Sequence, residues 1–199
     1  MDRIISSLGM IAGVIALMAF IPFIIAILSK KAKPSIITWT TWAIVNLLLL
    51  KSYYDSGAHN TLWLPITFFT GDVIICLLSL KYGEKIITRF DKICIALTVL
   101  NILGIVLFSY DKHAVLALSV ITLFVGGLPT VKKSWLRPQN ENRLVWSMFT
   151  VAAVLNLLSI EDWSRWEIIA HPLYVFLIDV GVATILWIKR HKQPAIVKS

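Results

Sequence analysis

The chain has 199 residues, 58% of them hydrophobic and only 15% charged, with a mean hydropathy of +0.80. Soluble domains carry about 45–50% apolar and about 25% charged residues, so these proportions exclude an ordinary soluble domain and mark an all-α integral membrane protein. The formal net charge of +8 would suit nucleic acid, but the basic residues fall in short loops between apolar runs. That is the placement membrane orientation produces, and nucleic acid is not an expected partner.

A bilayer core of about 30 Å needs about 20 apolar helical residues. Seven segments meet this requirement: 4–29, 35–54, 61–81, 90–109, 113–132, 143–160 and 168–188. The first is too long for the apolar part of a signal peptide and no A-x-A site follows it, so it is expected to stay as a helix. Arg3, Lys51, Lys112 and Arg165 are the only 4 Lys or Arg residues on one side of these spans, and the other side holds 15. The imbalance places the N-terminus outside and the C-terminus in the cytosol.

Pro65 to Asp72, P-I-T-F-F-T-G-D, returns as Pro172 to Asp179, P-L-Y-V-F-L-I-D, at an offset of 107 residues. The same offset relates Pro22 to Pro129 and Trp39 to Trp146. The chain therefore reads as two three-helix repeats, residues 1–89 and 111–199, joined by a linker helix over 90–110 (Lys92 to Tyr110 at its core). A single linker helix restores direction, so the two repeats run parallel across the membrane, a known transporter plan with the substrate site between the repeats near mid-membrane.

Ile21-Pro22, followed by Lys30-Lys31-Ala32-Lys33-Pro34-Ser35 and Thr38-Trp39, is answered by Leu128-Pro129 followed by Lys132-Lys133 and Trp146-Ser147. With the 3+1+3 plan, these stretches resemble the SWEET sugar transporters and the wider PQ-loop superfamily over nearly the whole chain. Phe23 and Thr130 stand where that family has glutamine, and Pro138-Gln139 lies in a polar loop and is not the motif. The resemblance implies alternating access, with Pro22 and Pro129 as hinges and an aromatic platform at the substrate, for which Trp39 and Trp146 are candidates. Their shallow depth also suits the interfacial Trp belt.

Asp72 lies nine residues before Lys81 and Asp179 ten before Lys189, which at helical rise is roughly 13–15 Å from the cytosolic edge. An intramembrane carboxylate costs roughly 2.5–3.5 kcal/mol on insertion scales and is retained for a reason. Two close together in a low dielectric do not both ionise readily. The pair reads as a proton site or a counter-charge for a cationic solute, or as two acids that only fix helix packing. Asn46 and Asn156 differ by 110 and read either as substrate contacts or as interhelical glue. Pro65 and Pro172 read as further hinges or as residues of a first helical turn.

The loop Glu161-Asp162-Trp163-Ser164-Arg165-Trp166-Glu167 is expected along the outer interface as a short amphipathic segment. His59, His113, His171 and His191 are scattered without metal-site spacing, and His171, beside Pro172, reads as a group titrating near neutral pH or, as is expected, a solvated histidine at a helix end. Cys76 and Cys94 lie in apolar segments and read as small buried hydrophobes. No phosphate loop or nucleophile elbow is present, so neither enzymatic activity nor a cofactor is expected. The expected function is a small secondary transporter or facilitator of a sugar, an amino acid or a nucleoside-like vitamin. The alternative is a receptor or scaffold on the same fold, as the KDEL receptors exemplify. The spare build suits a bacterial inner membrane, and an oligomer is possible but not required.

Overall fold

A computed structural model describes residues 2–30, 32–83, 87–108 and 111–190. Lys31, Lys85, Tyr110, His191, Lys192 and Lys198, which enter the expectations above, lie outside the described residues. Seven α-helices are seen among those described: α1 (Asp2–Leu28), α2 (Ile36–Asp55), α3 (Trp63–Tyr82), α4 (Arg89–Phe108), α5 (Lys112–Leu136), α6 (Arg143–Leu158) and α7 (Trp166–Arg190). Single turns of tighter helix, Asn60–Leu62 and Pro138–Asn140, precede α3 and α6. The described residues contain no strand.

Local chemistry sets several helix starts. The Ser35 hydroxyl accepts from the Thr38 amide at 3.3 Å, Asp111 from His113 at 2.9 Å, and Asn142 from Leu144 at 3.0 Å. Each satisfies an amide that the first turn of a helix leaves without a partner. Thr88 and Asp91 bond reciprocally at the start of α4, Asp91 accepting from the Thr88 amide and the Thr88 hydroxyl accepting from the Asp91 amide.

Four stretches are long and apolar enough to cross a membrane: Ile4–Leu28, Asn60–Tyr82, Lys112–Leu136 and Trp166–Lys189. α6 is apolar but shorter, at 16 residues. From Leu8 onward α1 is apolar all round. Met10, Val14, Leu17, Ile21, Ile25 and Leu28 form its exposed stripe while Ala12, Ala16, Ala19 and Ile27 are buried, a pattern suited to lipid on one side and protein on the other.

Within the bundle α1 packs on α3 and α6, α2 on α3 and α5, α5 on α7, and α6 on α7, with α4 against α5 and α2. Replacing α1, α2 and α3 by α5, α6 and α7 turns each main pairing into another: α1 with α3 into α5 with α7, α2 with α3 into α6 with α7, and α1 with α6 into α5 with α2. Ala16 of α1 and Ala152 and Ala153 of α6 sit in one buried cluster with Leu64 and Val175. Small side chains there allow backbones to approach closely.

α5 runs to Leu136 rather than ending at 132, because Lys132 and Lys133 are accommodated in its last turns. α6 ends at Leu158, two residues short of the expected boundary, where the Ser159 amide folds back on the Asn156 carbonyl and the Ile160 amide on that of Leu157. Pro65 lies in the first turn of α3, where a missing N–H leaves no helical bond unmade, whereas Pro172 lies inside α7.

Candidate functional site

The centre of the bundle holds the two aspartates. Asp72, 3% exposed, accepts a hydrogen bond from the Asn46 amide nitrogen at 2.6 Å, joining α3 to α2. Asp179, 5% exposed on α7, has one carboxylate oxygen without a partner among the described residues. The 107 offset accounts for the difference, since the position on α6 matching Asn46 is Ala153, which has no amide to give. The Tyr174 hydroxyl of α7 donates to the Leu123 carbonyl at 3.2 Å. Its ring packs against the buried cluster of Val45, Leu49, Leu116 and Leu123 and against that of Ala16, Leu64, Ala152 and Val175, so it touches helices of both halves.

Other side chains meet at the same offset. A Cβ added to Gly71 on α3 would lie 2.4 Å from the Phe20 ring of α1, and one added to Gly127 on α5 would lie 3.3 Å from Ile178 of α7. Phe20 and Gly127 are 107 apart, as are Gly71 and Ile178. Large and small residues have exchanged helices while the contact stays. Trp39 and Trp42 meet edge to face with centroids 5.3 Å apart, and Trp146 and Phe149 do the same at 5.9 Å. Phe149 continues onto Phe20 and Phe68 at 5.3 and 5.6 Å, forming an aromatic wall.

The remaining candidates are placed as follows. Trp146 donates its ring N–H to Glu141 at 3.0 Å, in the connection before α6. Trp39 packs on Phe23 of α1 at 5.6 Å. Among the described residues neither tryptophan ring has a hydrogen bond to an aspartate. Asn46 joins the site through Asp72, while both amide atoms of Asn156 are buried without a partner among the described residues. Pro22 and Pro129 lie inside α1 and α5. Cys76 is half-buried with its sulfur 3.1 Å from the Thr40 hydroxyl, and Cys94 is buried.

Two expectations are corrected here. His171 is not solvated. It is 0% exposed, both ring nitrogens lack partners among the described residues, and the rings of Tyr53 and Tyr174 lie 5.8 and 6.2 Å away. The helix begins five residues earlier, at Trp166, so His171 sits in its second turn under cover of α2. The loop from Glu161 to Glu167 is likewise not an amphipathic segment. Ser164 donates its amide and hydroxyl to Asp162 at 2.9 and 2.6 Å, closing a tight turn. Those bonds, with the Arg165 charge, hold the Asp162 carboxyl below the usual aspartate range.

This loop ties the halves together at one end of the molecule. The His59 amide donates to Glu161 at 2.6 Å, and Arg165 donates to the Ser56 carbonyl. The Tyr53 hydroxyl of α2 donates to the Ile168 carbonyl of α7 at 2.8 Å, and Lys112 of α5 donates to the Asp55 carbonyl at 2.9 Å. At the opposite end the described polar ties have another pattern. Thr38 donates to Asp91 at 2.6 Å, linking α2 to α4, and Glu141 pairs with Lys133 at 2.8 Å.

No family model, no curated protein and no solved structure matches the chain. Function therefore rests on the geometry. Sequence reasoning passed over Ala153, Tyr174 and the burial of His171. Carrying the 107 offset from Asn46 to Ala153 would have exposed the first; the others depend on which helices meet.

Proposed function

We propose that the chain is a small secondary transporter or facilitator with seven spans arranged as two parallel three-helix repeats around α4, SWEET-like in plan. It moves a small polar solute (a sugar, an amino acid or a nucleoside-like vitamin) by alternating access across a bacterial inner membrane, with the N-terminus outside. The observation that carries this reading is the free carboxylate oxygen of Asp179, buried at mid-bundle beside a partner half whose Asp72 is already bonded. A buried acceptor without a donor loses its hydration for no return unless something supplies that donor, so such groups call for an explanation. A solute hydroxyl, an ammonium group or a proton answers it. Asp72, fixed by Asn46, then presents a set geometry on the facing side. The exchange of helix pairings supports the repeat plan, and the ties described between the halves at one end suit a bundle closed at the outer face. Pro22 and Pro129, each without an amide N–H, are places where α1 and α5 bend as the closed end changes.

The Asn46–Asp72 bond favours a second reading, a receptor or scaffold that moves nothing. One experiment separates them. Sugars, cationic and neutral amino acids and nucleosides are added to purified protein while proton release and binding heat are recorded, wild type beside Asp179→Asn and Asp72→Asn. The transporter reading expects a solute that binds wild type and loses at least tenfold in affinity in Asp179→Asn. Silence across the panel from folded protein moves the weight to the scaffold.

A further inference from the structure

A groove of about 450 Å³ opens between α5 and α7 at the end opposite the tied loops, lined by Leu128, Val131, Lys132, Trp135, Leu136 and Ile185. The α5 residues recur every three or four positions, so the track runs about 12 Å along one face of that helix. It is open sideways, with Trp135 57% and Leu136 64% exposed. Lys189, one turn beyond Ile185 on α7, holds its ammonium 4.1 Å over the Trp135 ring and donates to the Trp135 carbonyl. Lys132 is exposed on the groove wall. Glu141, the acid that follows α5, is bonded to Lys133 and Trp146 instead.

We propose that this groove binds an anionic glycerophospholipid, with one acyl chain along α5 and the phosphate held by Lys132 and Lys189. Apart from Lys132 and the Trp135 ring the lining is aliphatic, which suits an acyl chain better than a polar solute. Lys132 on the wall of the apolar track and Lys189 at its Trp135 end offer two cations to a headgroup phosphate, and basic pockets between spans favour anionic lipids. The Trp135 ring beside them sits where an amphipathic ring meets the headgroup level. Free phosphate would leave the apolar track unused, which is why the phospholipid is the occupant the geometry selects. None of these residues belongs to the aspartate site.

Native mass spectrometry of the purified protein tests this, with phosphatidylglycerol, phosphatidylcholine of the same chains, and inorganic phosphate as probes. Wild type is expected to retain phosphatidylglycerol over phosphatidylcholine. Lys132→Gln should weaken that retention about fivefold, and adding Lys189→Gln should weaken it about fivefold again. Lys92→Gln, an exposed lysine at the start of α4, serves as the control and should change nothing. Ile185→Trp, which fills the groove, should lose the bound phospholipid while the thermal transition persists. Equal retention of the two phospholipids by wild type would overturn the proposal. So would unchanged retention in the double lysine variant or in Ile185→Trp, an equal loss in Lys92→Gln, or displacement of phosphatidylglycerol by inorganic phosphate at matched concentration.

Discussion

At the 107 offset Ala153 on α6 stands against Asn46 on α2, and of the two buried aspartates only Asp72 receives a bond from an asparagine amide among the described residues. Asn46→Leu removes the amide that serves Asp72 and leaves a buried acceptor bare, at a cost of about 1–3 kcal/mol. Asp179→Asn disturbs no described bond to the unpartnered oxygen and should cost less. Thermal unfolding in detergent is expected to rank wild type near Asp179→Asn, with Asn46→Leu clearly lower. Equal melting of Asn46→Leu and wild type would mean the 2.6 Å bond contributes nothing. The aspartates themselves were legible, because a carboxylate inside an apolar run is conspicuous. Their inequality was not, because it depends on a helix that lies 26 residues from Asp72 along the chain. His171 was misread for the same reason. Its neighbours in sequence resemble a helix end, while its burial comes from Tyr53 on α2.

At the scale of elements, the glycines of α1 and α4 make opposite demands. A Cβ on Gly9 would meet the Asn60 carbonyl oxygen at 1.9 Å, so α1 rests directly on the backbone of the turn before α3. Gly104 on α4 has nothing within 4 Å of the corresponding point. Gly9→Ala forces backbone apart and should destabilise by about 1–3 kcal/mol, as overpacking does. Gly104→Ala should be neutral or stabilising by up to about 1 kcal/mol, since alanine is the better helix former. Midpoints of thermal unfolding for the two variants check this, and a Gly9→Ala protein as stable as wild type would count against the close approach. Helix positions were legible from apolar runs and caps. The tied loop was not, because an acid-rich, Trp-rich stretch suits an interfacial helix equally well until Ser56 and His59 supply its partners.

For the whole molecule, the bond between His59 and Glu161 puts the α2–α3 and α6–α7 connections at the same end. Single cysteines on a background lacking Cys76 and Cys94 test which side that is. Cysteine replacing His59 or Asp162 is expected to react with an impermeant maleimide on intact cells. Cysteine replacing Lys33 or Gln139 is expected to react only after permeabilisation. The reverse pattern would invert the orientation read from 15 basic residues against 4. Reaction of His59 and Asp162 positions from opposite sides would end the parallel-repeat reading.

Composition and apolar runs by themselves determined that this is an all-helical chain with apolar helices fit for a membrane, roughly where each helix runs, and which two carboxylates stand inside apolar runs. Those properties are local, since hydropathy and capping act within a few residues along the chain. Only the tertiary structure decided that Asn46 serves Asp72 while Asp179 keeps a free oxygen, that His171 is sealed between tyrosines, and that one end of the bundle is tied across its halves. Each depends on the rotation and pairing of helices distant in sequence, and a rotation of one residue, about 100°, changes which side chains meet.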